Sequence, residues 1–361
     1  MKRESFKLLR KLTSIPSPSG YEMRIQELIR GQMKELCKTV TTDVHGNVIG
    51  VLNPGAATRI MIAGHCDEIG FIITHIDDKG VAYFSSIGGF DPNVAVGQRV
   101  RISTARGSVF GVIGRKPIHL MDKGEAGAEL KIHDLWLDIG ARNKKDAQKV
   151  IAVGDCVTMD VGLEEMRNDL VAARGFDDRA GAFAVMETMR KLKGRKLDVA
   201  VYGVATVQEE VGLRGARTSA YGIDPHVGIA IDVGYATDVP GAEPKRTGEW
   251  ILGKGPVLHR GPNINPVLED LLESAARAKK IPYQVTAEPG ATGTDANAMQ
   301  INRSGAAAAL ISIPCRYLHT PVEVISLKDL DNVSDLIAAF TASLKSNTDF
   351  VPRIPKGKQG F

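Results

Sequence analysis

The chain is short of the features that mark several common classes of protein. Only four cysteines occur in 361 residues, Cys37, Cys66, Cys156 and Cys315, and none forms a CxxC pair. That excludes a disulfide scaffold and a thiolate zinc finger, and it suits reduced thiols in a cytoplasmic protein. Charge of one sign is not in excess: the formal net charge is +4 at pH 7, too little at this length for a dedicated nucleic-acid binder. No apolar run approaches the roughly 20 residues that span a bilayer, so no membrane partner is expected. The first twelve residues interleave Phe6, Leu8, Leu9 and Leu12 with Lys2, Arg3, Lys7, Arg10 and Lys11. They lack the continuous apolar core of a signal peptide and read as an amphipathic surface helix. Length is ample, and one large or two moderate domains are expected.

What is present is a set of apolar runs that each stop at groups able to hold a metal. Val199–Val207 has the character of a strand buried on both faces of a parallel sheet, and Glu209 and Glu210 follow it. Neighbouring side chains on an extended chain point opposite ways, so these two acids divide their work: one can bind a metal while the other handles a proton. Arg59–Gly64 stops at His65 and Asp67, which share a face while Cys66 points away. Val227–Ile231 stops at Asp232, Ala306–Ile313 leads on to His319, and Val171–Phe176 delivers Asp177 and Asp178 just before a helical stretch, Arg179–Leu192. Open α/β sheets bind ligands outside the carboxyl ends of their strands, so five such ends can converge on one site.

The inventory suits a pair of divalent cations. His65, His319, Asp177, Glu210 and Asp232 are nitrogen and oxygen donors of the kind zinc, cobalt or manganese accept. Five ligands serve two metals better than one, with Asp177 as the shared carboxylate. Asp67 is then free to orient the His65 ring, as outer carboxylates do for metal-bound imidazoles, and Glu209 becomes the candidate general base. The other six histidines are expected to be surface or core residues.

The strings GHCDEIGF, GFDDRAG, VATVQEEVGLRGARTSA, GTDANA and RYLHTPVE closely resemble those of metallopeptidase family 42, the self-compartmentalising dinuclear aminopeptidases often called TET peptidases. The resemblance runs from about Leu8 to Lys345. It implies that His65 and Asp232 hold one ion, Glu210 and His319 the other, and Asp177 both, with Glu209 acting on a metal-bridging water. Zinc or cobalt is the expected cofactor, with manganese also suitable. The Gly-rich loop Glu288–Asn297, with Thr294 and Asp295, would lie near the substrate. Peptides with a free N-terminus are the expected substrates, and dimers assembling into a homododecamer the expected quaternary state.

The stretch from Asp67 to Asp177 is too long for a plain connection in a compact α/β domain, so an inserted domain is expected. Phe71–Ile76 and Val81–Ser86 flank a turn signal at Asp77–Gly80, and Arg99–Ile113, Trp136–Ile139 and Asp155–Met159 add strand candidates. The expected fold is a three-layer α/β/α catalytic domain with a mixed, mostly parallel sheet, built from residues 1–67 and 166–347. Residues 68–165 are expected to form a small inserted β-barrel-like domain, which the family resemblance implies serves oligomerisation, and 348–361 a flexible tail. Three competing functions can be stated: a metal-dependent deacylase of N-blocked substrates, an endoglucanase using Asp67 and Glu209 as its paired carboxylates, and a non-catalytic assembly protein.

Overall fold

The structure is a computed structural model that describes residues 1–122, 124 and 128–353. Its larger body is an eleven-stranded sheet. At the centre the strands Ala200–Thr206, Arg59–His65, Val227–Tyr235 and Ala307–Arg316 lie side by side and parallel, so their carboxyl ends open on one side. These strands are continuously apolar because both of their faces are covered. Ile60, Ile62, Val201, Ile229 and Ile311 face the helices Arg3–Ser14, Met23–Leu36, Phe176–Leu192, Pro266–Lys279 and Leu327–Ser343. Met61, Ala63, Val204, Ala230 and Leu310 face the helices Arg214–Ile223 and Asp295–Gln300. The result is a three-layer α/β/α arrangement.

Parallel pairing dominates only that centre. Val48–Leu52 and Thr39–Thr42 extend one flank antiparallel. On the other, Glu323–Ser326 pairs antiparallel with both Ala307–Arg316 and Leu170–Ala173. Antiparallel neighbours need only short connections, whereas the central strands are joined through helices. The strand ending in His65 and the helix carrying Asp177 are in backbone contact at Gly64, where any Cβ would collide with the main chain of Gly181 and Ala182. The first helix buries Leu8, Leu9 and Leu12 against the main core, so its amphipathic pattern serves packing on one side and solvent on the other.

Between these elements a second body closes on itself. The strands Gly70–Ile76, Ala82–Ile87, Leu135–Asp138, Gly107–Arg115, Arg99–Thr104 and Cys156–Met159 form an antiparallel barrel in that order. It has its own core, including Phe71, Ile73, Val100, Ile102, Leu137 and Val157, with the Phe71 ring 4.8 Å from Phe84 and 4.5 Å from Phe90. Its first hairpin turns at Asp77–Gly80, where Asp77 accepts the N–H groups of Lys79 and Val81 and Gly80 takes φ 89°. Leu163 belongs to the larger core and Glu164–Glu165 pair with the larger sheet, so the chain is back on that sheet before residue 166. At the other end Phe350 packs on the main core and its carbonyl accepts from Asn265 at 2.9 Å. The chain is therefore held that far, and residues 354–361 of the expected tail lie outside the described residues.

Candidate metal centre

The central strands and the turns after them deliver the sequence-nominated side chains to one place. His65 ends its strand, Asp177 opens the helix Phe176–Leu192, and Glu209 and Glu210 sit in the turn after Ala200–Thr206. Asp232 lies inside the longer strand Val227–Tyr235 opposite Ser312, because that strand continues beyond the apolar run that identifies it. His319 lies in the turn before Glu323–Ser326. Gln208 and His319 have left-handed backbone, φ 54° and 59°, a conformation that ordinary residues adopt only where contacts enforce it. Here the Gln208 N–H donates to Glu22 at 3.1 Å and the His319 N–H to Glu323 at 3.1 Å.

Asp177 is the hub. Its Oδ1 lies 3.1 Å from His65 Nε2 and its Oδ2 lies 3.1 Å from His319 Nε2. Glu209 Oε2 is 3.8 Å from His65 Nε2, and Glu210 Oε2 is 3.7 Å from His319 Nε2. His65, Asp177 and Glu210 each place one donor atom within 4.8 Å of the others, and so do His65, Asp178 and Asp232. Asp178 is a residue the sequence placed beside Asp177 without a role. Its carboxylate takes the His65 N–H at 3.1 Å and the Gly181 N–H at 2.9 Å, so its oxygens are already engaged by the main chain around the site.

Asp67 does more than face the His65 ring. Its Oδ1 lies 3.4 Å from His65 Nδ1, longer than a well-formed hydrogen bond, and also accepts the Glu209 N–H at 3.1 Å. Its Oδ2 accepts the Glu210 N–H at 3.2 Å and the Ser19 hydroxyl at 2.7 Å. Glu323 plays a parallel part, accepting the N–H groups of Asp177 and His319, each at 3.1 Å. Ser19, Glu22, Asp178 and Glu323 were missed by sequence reasoning. All four act on main-chain groups or on another carboxylate, and only their nearness to the nominated motifs could have signalled them.

The centre concentrates negative charge in a buried place. Burial, then Asp232, Asp295 and Asp177 against the pull of the His65 ring, pushes the Glu209 carboxyl up to about 9. Burial and Asp177 push Asp232 up to about 8, and burial, then Asp177, carries Glu210 well above its ordinary range. Burial also works to raise Asp177, but hydrogen bonds to His319 and His65 outweigh it and hold this carboxyl low. At Asp67 burial is likewise outweighed, by the nearby His65 ring and by bonds from Ser19 and the Glu209 N–H. Glu210 Oε1 is buried without a partner. Two imidazoles, crowded carboxylates and an unpartnered buried oxygen fit divalent cations, whose charge would balance them.

The nominated substrate residues divide. Thr294 accepts the Ala296 N–H at 3.3 Å as the cap of helix Asp295–Gln300. Asp295 is buried, bonded to Thr206, and has Oδ1 unpartnered; burial pushes its carboxyl up to about 6 against the His65 ring. Cys66 is buried, with its thiol pushed well up by burial and by Asp67. His259 sits in the core with Nε2 2.9 Å from Ser312 Oγ, far from a ligand's role.

Residues 46–336 match the family described as M42 glutamyl aminopeptidase. The chain is 39% identical to a lysyl aminopeptidase of Pyrococcus furiosus, over 96% of this chain and 99% of that one. Among solved structures it is similar to an aminopeptidase of the archaeon Desulfurococcus kamchatkensis, with TM-score 0.87, 41% identity and coverage of 95% and 96%. It is also similar to the Pyrococcus horikoshii TET1 peptidase, described as assembling into a tetrahedron or a large octahedral shell, with TM-score 0.85, 33% identity and coverage of 94% and 100%. Matched along nearly its whole length by sequence and fold, the chain belongs to the M42 glutamyl aminopeptidase family and is a hydrolase of the aminopeptidase class.

Proposed function

We propose that the chain is a dinuclear metal-dependent aminopeptidase that releases N-terminal residues from peptides with a free α-amine. The observation that carries this reading is Asp177, whose two oxygens each lie 3.1 Å from a different imidazole, as a carboxylate shared by two cations requires. His65 and Asp232 would hold one ion, Glu210 and His319 the other. Zinc and cobalt suit this donor set best and manganese also fits; bound there, they supply Lewis acidity toward the scissile carbonyl and the attacking water. Glu209 stands beside the His65 end of the hub, accepts the proton of that water and returns it to the leaving amine. Asp67 orients His65 and, through two N–H groups, holds both glutamates. The surrounding carboxylates, with Asp295 among them, favour a free α-amine, which limits cleavage to the first residue. Thr294 contributes by fixing the turn that presents Asp295.

An endoglucanase pairing of Asp67 with Glu209 is disfavoured because Asp67 is fully buried and both its oxygens are taken. The deacylase and assembly-protein readings gain no observation of their own. We place the catalytic function on the large sheet and self-association on the barrel, with a homododecamer built from dimers as the assembly; a similar TET1 structure, 33% identical with TM-score 0.84, is described as a dodecamer. Four buried, unpaired cysteines support a reducing, cytoplasmic setting. No described helix is long and apolar enough to cross a membrane.

The test is release of N-terminal residues from a panel of unblocked and N-acetylated aminoacyl-p-nitroanilides by chelator-stripped protein, before and after zinc, cobalt or manganese is restored. Restored activity on unblocked substrates alone is expected. Glu209→Gln should lower kcat by roughly 10² to 10⁴ with metal content intact, and an undiminished kcat would remove Glu209 from its role.

A further inference from the structure

Glu323 is 2% exposed, at the first residue of the strand Glu323–Ser326. Its Oε2 accepts the N–H of Asp177 and its Oε1 the N–H of His319, both at 3.1 Å. The side chains of these same residues meet at 3.1 Å between Asp177 Oδ2 and His319 Nε2. The contacts close a ring: one carboxylate grips two main chains whose side chains converge on one point. The ring crosses three elements, the Asp177 helix, the His319 turn and the Glu323 strand, and it includes the left-handed residue at φ 59°. Glu68, buried to a similar depth, is neutralised by Arg174 and Arg179. Glu323 instead spends both oxygens on main-chain donors of metal-site residues.

We infer that Glu323 is a positioning residue that sets the separation and aim of Asp177 and His319 for the ion they share. The inference rests on the dinuclear reading above. Outer groups that orient ligands typically account for 10-fold to 100-fold in metal affinity. Gln at this position keeps the shape but turns an N–H₂ toward one of the two N–H donors, so the ring opens on one side.

Asp329 provides a matched comparison. It is fully buried and also accepts two main-chain N–H groups, from Gly253 at 2.6 Å and Gly255 at 2.7 Å, but neither belongs to a nominated ligand. The experiment is calorimetric titration of zinc into chelator-stripped wild type, E323Q and D329N, with the visible spectrum of the cobalt-loaded proteins as a second readout. Wild type is expected to take two ions per chain. E323Q is expected to bind at least one of them about 10-fold to 100-fold more weakly, with a changed cobalt spectrum. D329N is expected to unfold more easily yet keep wild-type affinities and spectrum. If circular dichroism shows E323Q unfolded, E323D carries the comparison: it keeps the charge but is one methylene too short to reach both donors, so weaker binding is again expected. Wild-type affinity and spectrum in the folded Glu323 variant, or equal weakening in D329N, would overturn the inference. Fewer than two ions in wild type would instead overturn the dinuclear reading, and this inference with it.

Discussion

Replacing Glu68 by Gln tests whether the ionic cluster beneath the centre holds the site's framework together. Glu68 is 3% exposed, Arg174 6% and Arg179 0%. Its carboxylate accepts from Arg174 Nη1 at 2.6 Å, from Arg179 Nη1 at 3.2 Å and from the Ser17 N–H at 3.0 Å. Arg179 also donates to the Ile15 carbonyl at 2.8 Å and Ser17 Oγ at 2.7 Å. The cluster thus binds the N-terminal segment, the residue after Asp67 and the helix of Asp177. Removing the one carboxylate leaves two buried guanidinium groups with no balancing charge in the cluster, and breaking a buried pair in this way costs about 3–5 kcal/mol. Exposed pairs rarely exceed about 1 kcal/mol. The assay is urea unfolding of metal-stripped protein at fixed protein concentration, since assembly shifts apparent stability. Arg174→Met made in the Glu68→Gln background should recover part of the loss, because one uncompensated charge disappears. A loss below about 1 kcal/mol for Glu68→Gln would refute the reasoning.

Three further outcomes are expected. Burial holds the His259 ring down to about 4, so the folded state stays neutral while the unfolded chain takes a proton as pH falls through about 6.5. Its stabilising effect is complete above that value and lost between about 6.5 and 4; in urea unfolding the stability of wild type relative to His259→Phe should fall by about 2 kcal/mol from pH 7 to pH 5. His259→Phe should remove that component, and an unchanged pH dependence would count against it. Gly64→Ala drives a methyl into the main chain of Gly181 and Ala182; thermal melting should show a loss of about 1–3 kcal/mol, accompanied by weaker metal binding. Restoring zinc to stripped protein at 100 times its Kd should add about 2.7 kcal/mol per site, visible as a rise in melting temperature, and no rise would argue against binding to the folded state.

The proposed ligand residues could be picked out together because each follows an apolar run. A strand buried on both faces announces itself by unbroken apolar residues, and the first polar residues after it are conspicuous, as with His65 and Glu209. The bracing groups carry no such mark. Ser19 and Glu22 lie on an irregular segment after the first helix, and their partners, Asp67 and Gln208, are distant in sequence. Asp178 and Glu323 stand inside the recognised motifs, yet their task is to accept main-chain N–H groups, which every residue but proline offers. Asp232 shows another limit, since a strand can run on past a proposed ligand when its neighbour keeps pairing, as Ser312 does. The inserted barrel was expected as a β-barrel-like domain, but its strand order, Gly107–Arg115 between Leu135–Asp138 and Arg99–Thr104, was not, because that order depends on long-range pairing.

The closure of the barrel bears on aggregation. A strand with no bonded neighbour on one side is a template on which another chain can add indefinitely. The barrel offers little of this, because each of its six strands has two partners, though Ala82–Ile87 meets Leu135–Asp138 at one residue pair only. A subunit that meets the paired part of the wall does so through side chains, whose pattern is finite and cannot be propagated by sliding. The large sheet does have open margins, and they are kept short: Glu164–Glu165 is two acids long, Thr39–Thr42 is a four-residue run containing three threonines, and Gln284–Ala287, which pairs only with Val257–Arg260, is four residues long. A molecule with a protected barrel and blunted margins can be held at high local concentration beside copies of itself with little opportunity for fibril growth.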